Sequence, residues 1–66
     1  MKIQLNGEER EIREGLSLAQ LVASLVPEGS RYAVEVNEEL VPRSQHQSYL
    51  LKEQDRVEMV QAIGGG

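Results

Sequence analysis

The sequence predicts an α+β roll, a mixed sheet of four to five strands packed on one main helix. Three observations carry that prediction. Apolar and polar residues alternate near both ends, at Met1, Ile3 and Leu5 and again from Arg56 to Gln61, which is the period-two signature of half-buried strands. Between them, one segment carries apolar residues at helical spacing with a capping signal in front of it. A chain of 66 residues has room for a single core, burying about 60 % of its unfolded surface.

The elements follow in order. Met1, Ile3 and Leu5 alternate with Lys2 and Gln4, so three apolar side chains share one face of a first strand. Asn6-Gly7 supplies residues that tolerate positive φ in a type I′ turn, and Glu9 to Arg13 returns as a second strand with Ile12 pointing inward. Ser17 caps the helix, Gln20 completes a capping box, and Leu16 and Leu21 occupy the positions of a hydrophobic staple. Leu18, Leu21, Val22 and Leu25 form one apolar stripe, ended by Pro27 and Gly29. Tyr32, Val34 and Val36 alternate with Ala33 and Glu35 as a third strand, which turns at Asn37-Glu38 into a short fourth around Leu40 and Val41. Pro42 stops that strand. From Arg43 to Gln54 the chain is polar and irregular apart from Tyr49, Leu50 and Leu51, which are expected to close one end of the core. Arg56 to Gln61 is the last strand. One helix across one face of a mixed sheet buries every stripe named, an arrangement of the ubiquitin-like, β-grasp kind. Residues 1–61 are assigned to this domain and 62–66 to a flexible carboxyl-terminal tail.

Composition narrows the function. Seven basic and eleven acidic residues leave a net charge of −4, which disfavours nucleic acid and anionic membranes and favours a basic protein surface as partner. The chain has no cysteine, so disulfides, thiolate metal sites and a cysteine nucleophile are all excluded. No apolar stretch is long enough for a signal peptide or a membrane span, and a cytoplasmic location is expected. A core this small leaves little room for a deep catalytic cleft, so the chain is not expected to be an enzyme by itself.

The polar residues fit that view. His46 lies among Gln45, Gln47 and Ser48 with no second ligand at metal-binding spacing, and a solvated loop histidine is expected. Glu8, Glu9, Glu11, Glu38 and Glu39 fall at or beside turns and read as surface charge in a domain with no evident pocket. None of Ser17, Ser24, Ser30, Ser44 and Ser48 has a histidine and an acid arranged around it. Gly64, Gly65 and Gly66 are different. Without Cβ atoms they can pass a channel too narrow for other residues, and the reactive group on offer is the carboxylate of Gly66. The alternative is an ordinary frayed end.

Asn6, the run Val34-Glu35-Val36-Asn37-Glu38-Glu39-Leu40-Val41-Pro42-Arg43, the segment Asp55-Arg56-Val57-Glu58 and the ending Val60-Gln61-Ala62-Ile63-Gly64-Gly65-Gly66 together resemble the ThiS family, sulfur carrier proteins of thiamine biosynthesis. The resemblance covers essentially the whole chain. Gln54 departs from it, since the family often has glycine before the aspartate of that turn. The resemblance implies that a ubiquitin-activating-like adenylyltransferase uses ATP to convert Gly66 to an acyl-adenylate. It implies that sulfur from a cysteine desulfurase or persulfide then replaces AMP, leaving a thiocarboxylate for thiazole synthase. No cofactor would be bound by the chain itself. Docking is expected on the sheet face opposite the helix, with Val60, Ala62 and Ile63 as apolar contacts for both partners and Arg43 as a weaker candidate. Three other readings stay open: a molybdopterin-synthase small subunit or other carrier, a protein modifier, and a non-covalent interaction module.

Overall fold

The computed structural model describes residues 1–61. Strands β1 (Lys2–Leu5) and β2 (Glu8–Glu11) form the first hairpin, with Leu5 opposite Glu8. Asn6 and Gly7 make its two-residue turn at φ 49° and 84°, the pair of positive values a type I′ turn requires. The second strand stops at Glu11, short of the expected Arg13. Ile12 nevertheless packs against the core, because its N–H donates to the Met1 carbonyl at 2.8 Å.

Helix α1 (Leu18–Leu25) has the anticipated cap. The Gln20 N–H donates to Ser17 Oγ at 3.1 Å and the Ser17 N–H to Gln20 Oε1 at 3.0 Å. Two further amides at its start would have no partner inside the helix. The Leu18 N–H donates to the Tyr49 carbonyl at 2.8 Å and the Ala19 N–H to the His46 carbonyl at 3.0 Å. The polar segment that looked irregular in sequence thus carries out part of the capping. It contains a 3-10 turn at Arg43–Gln45 and meets the helix entry at the Ser17–Leu50 bridge.

Strands β3 (Tyr32–Val36), β4 (Glu39–Leu40) and β5 (Arg56–Gln61) complete a five-stranded sheet of order β2-β1-β5-β3-β4. Strand β5 runs parallel to β1 and antiparallel to β3, so the last strand in sequence is central in space. Ile3, Leu5, Val34, Val36 and Val57 from the sheet meet Leu18, Leu21 and Val22 from α1, with Val41 and Leu51 closing the sides. This is a β-grasp roll with one helix on one face, and among the described residues nothing covers the other face.

Candidate functional site

Strand β5 is the last described element before the glycines in sequence. Its two neighbours end in turns led by asparagines with left-handed backbones, Asn6 at φ 49° and Asn37 at φ 54°. Each asparagine donates its own N–H to β5, Asn6 to the Val57 carbonyl and Asn37 to the Arg56 carbonyl, both at 2.8 Å. Each then uses its side-chain oxygen as the returning acceptor. The Met59 N–H donates to Asn6 Oδ1 at 2.8 Å and the Arg56 N–H to Asn37 Oδ1 at 3.0 Å. In a straight strand the backbone carbonyl would take that bond; here the turn diverts it and the side chain substitutes. Asn37 Nδ2 also donates to Asp55 Oδ1 at 3.0 Å, and Asp55 Oδ2 accepts from the Lys52 N–H at 2.8 Å. The buried Asp55 is thereby satisfied.

The turn before β5 also explains the odd residue of the sequence. The Asp55 N–H donates to the Lys52 carbonyl at 3.1 Å, and Gln54 sits at φ 70°. That is the third position of a type II pattern, where glycine is preferred. The chain keeps the turn and carries a side chain in a left-handed conformation.

Register fixes which residues share the uncovered face. Gln4 pairs with Arg56 and Leu5 with Val57, so Arg56, Glu58 and Val60 point away from the helix while Val57 points toward it. Across β3, Ala33 stands opposite Val60 and Glu35 opposite Glu58. Across β4, Leu40 stands opposite Glu35, diagonal to Ala33. An apolar path Leu40–Ala33–Val60 therefore crosses three strands, and its two large members are 65 % and 68 % exposed. Two carboxylates, Glu35 and Glu58, face each other beside it, an arrangement that costs stability in the free protein. The nearby Arg56 guanidinium is turned to Glu38 at 3.7 Å. Apolar side chains bordered by unfavourably paired carboxylates suit a partner with an apolar recess and a basic rim.

Of the residues singled out from sequence, Val60 lies on this face. Ala62, Ile63, Gly64, Gly65 and Gly66, and the tail assignment as a whole, lie outside the described residues. Leu40 was missed as a surface contact because Leu40 and Val41 were read together as one short strand. The Asn37-Glu38 turn sends Leu40 outward and buries Val41. Alternation counted from that turn would have separated them.

Two expectations need correction. His46 is not solvated: it is 4 % exposed, its Nε2–H donates to the Val41 carbonyl at 2.9 Å, and its ring stacks on Tyr32 with centroids 6.0 Å apart. The 3-10 turn at Arg43–Gln45 rolls the ring inward, which the flanking polar residues concealed. There is also a concavity, of about 720 Å³, on the helix side of the sheet, walled by Val22, Val26, Tyr32, Arg43 and His46. It is open, and its arginine and histidine are engaged within the fold. Arg43 lies 4.5 Å from the Tyr32 ring centroid and donates to the Ser30 carbonyl at 2.9 Å, which makes it a staple between loops. Among the described residues no cluster of histidine or acidic side chains suits a metal ion, and no helix is long and apolar enough to cross a membrane. Among the described residues the arrangement is an exposed apolar path on the sheet face opposite the helix, on and beside the strand that precedes the glycines in sequence.

Comparison with known proteins agrees with this geometry. Residues 3–66 match the ThiS family model. A crystal structure of the thiamine biosynthesis protein ThiS from Geobacter metallireducens superposes with a TM-score of 0.84 at 29 % identity, covering 100 % of both chains. An uncharacterized protein ycf40 of Porphyra purpurea is 38 % identical over 66 residues, 100 % of this chain and 93 % of that one. A thiazole synthase of Paramagnetospirillum magneticum is 36 % identical over the same 66 residues, which are only 20 % of its length. The match over nearly the full chain, on a β-grasp roll with an uncovered sheet face, places the protein in the ThiS family.

Proposed function

We propose that this chain is a sulfur carrier whose Gly66 carboxylate is adenylated, converted to a thiocarboxylate and used by thiazole synthase to form the thiazole of thiamine. The observation that carries the reading is the family match through the Gly-Gly-Gly ending, which follows a strand belonging to the sheet face that bears Leu40, Ala33 and Val60 on β4, β3 and β5. A carboxylate with a pKa near ~3.5 is anionic at neutral pH and a poor acyl donor until its oxygen becomes a leaving group. An adenylyltransferase supplies that step: carboxylate oxygen attacks the α-phosphorus of ATP and pyrophosphate leaves. A persulfide, carrying cysteine sulfur from a desulfurase, attacks the acyl carbon and AMP departs; a thiol of the partner enzyme then cleaves the resulting acyl disulfide, forming a disulfide and releasing the thiocarboxylate. The chain has no cysteine, so the acyl end is where activated sulfur is held.

Thiazole synthase as acceptor is supported by two relatives of that name that contain a region similar to this chain, from Paramagnetospirillum magneticum and Magnetococcus marinus. Nucleotide chemistry belongs to the partners, ATP being consumed by the activating enzyme, and the work takes place in the cytoplasm. Incubation with the adenylyltransferase, ATP and a sulfur donor, followed by intact-mass measurement, tests the proposal. A gain equal to one oxygen exchanged for sulfur is expected, and deletion of Gly66 abolishes it. An isopeptide ladder on other proteins identifies a modifier instead. A thiocarboxylate accepted only by a molybdopterin-type synthase moves the carrier to another pathway.

A further inference from the structure

We infer that Asn6 is a positioning residue for the carrier chemistry, a clamp on the outgoing end of β5; this rests on the function proposed above. Strand β1 ends at Leu5, whereas β5 continues to Gln61. Beyond Val57, therefore, the β1 side of β5 has run out of regular strand to pair with. Asn6 extends the pairing by one step: its N–H reaches the Val57 carbonyl at 2.8 Å and its Oδ1 takes the Met59 N–H at 2.8 Å. The bond ties together residues 53 positions apart in sequence.

Two demands converge on that one residue. The turn requires a left-handed backbone, which Asn6 holds at φ 49°, and β5 requires an acceptor where the turn has carried the backbone carbonyl away. Glycine meets only the first demand; asparagine and aspartate meet both. The clamp sits at Met59, one residue before the exposed Val60 and two before Gln61. On its β3 side β5 stays paired through Gln61, so Asn6 supplies the matching hold on the β1 side, next to the exposed Val60. Releasing Met59 on that side loosens an edge that docking must immobilise again; because β3 keeps its own pairing through Gln61, one residue's worth of freedom, about 30-fold in affinity, is the ceiling on the effect.

Asn37 provides the internal control, since it makes the same pair of bonds to Arg56 at the other end of β5, away from the tail. Three variants are compared: Asn6→Gly, whose Gly-Gly turn remains compatible with type I′, Asn6→Asp and Asn37→Gly. The readouts are amide hydrogen exchange at Met59 and the KM and kcat of thiocarboxylate formation by intact mass. Asn6→Gly is expected to speed Met59 exchange and raise KM, by no more than about 30-fold, with kcat unchanged. Asn6→Asp restores both, and Asn37→Gly lowers stability while leaving KM alone. An unchanged KM in Asn6→Gly, or an equal rise in Asn37→Gly, overturns the inference while the carrier reading stands. A wild-type chain that gains no sulfur overturns the carrier reading and the role of Asn6 with it.

Discussion

Replacing Leu40 with alanine tests whether the exposed sheet face is the docking face proposed above, at a residue that sequence reasoning overlooked. The substitution removes three carbons, each contributing about 0.8 kcal/mol when fully buried. Leu40 is 65 % exposed in the free protein, so about two-thirds of that, roughly 1.6 kcal/mol, remains to be gained against a partner. At about 1.4 kcal/mol per factor of ten, the loss is near 15-fold in affinity. Stability should change by less than about 1 kcal/mol, because the side chain is already largely in water. The assay is adenylation of the intact chain by its activating enzyme, with KM and kcat separated and urea denaturation run in parallel. KM should rise about 15-fold at constant kcat. A KM equal to wild type would refute Leu40 as part of the face, and a collapse of stability would mean its exposed position is wrong.

Other consequences are checked as simply. Gln54→Gly should raise stability: a left-handed non-glycine residue costs about 1–2 kcal/mol, against about 0.4–1 kcal/mol for the added freedom of unfolded glycine. The net gain lifts the melting temperature by about 2–8 °C in a domain this small, and no gain would mean the turn is unstrained. Glu58→Gln removes one member of the Glu35–Glu58 cross-strand pair. It should stabilise the fold by a few tenths of a kcal/mol yet slow association with a basic partner, a deficit that shrinks as salt rises. Tyr49 is held above its ordinary pKa of 10.0, first by partial burial and then by the charges of Asp55 and Glu39. The folded chain therefore keeps this proton more tightly than the unfolded one. Its contribution is complete below about pH 10 and is lost as pH rises through the higher folded value. Urea unfolding across that window should show the decline, and Tyr49→Phe should reduce it; an unaltered profile in Tyr49→Phe counts against the assignment.

The sequence by itself determined whatever depends on near neighbours. The Ser17 to Gln20 box, the Leu18-Leu21-Val22 stripe, the Asn6-Gly7 turn and the bounds of β5 are set by side chains within a few positions of one another. Local propensity and periodicity therefore revealed them. Tertiary structure alone decided the pairings made across many residues. His46 looked solvated because its neighbours are polar, but its partners are Val41 and Tyr32, the latter 14 positions away on another element. Leu40 became a surface residue only when the second turn fixed the phase of a strand two residues long. Asn6 was readable as a turn residue, yet its bond to Met59 spans nearly the whole chain. The physical reason is common to all three: burial and hydrogen-bond partners belong to positions in space, and a central strand supplied from the end of the sequence brings together residues that no local window contains.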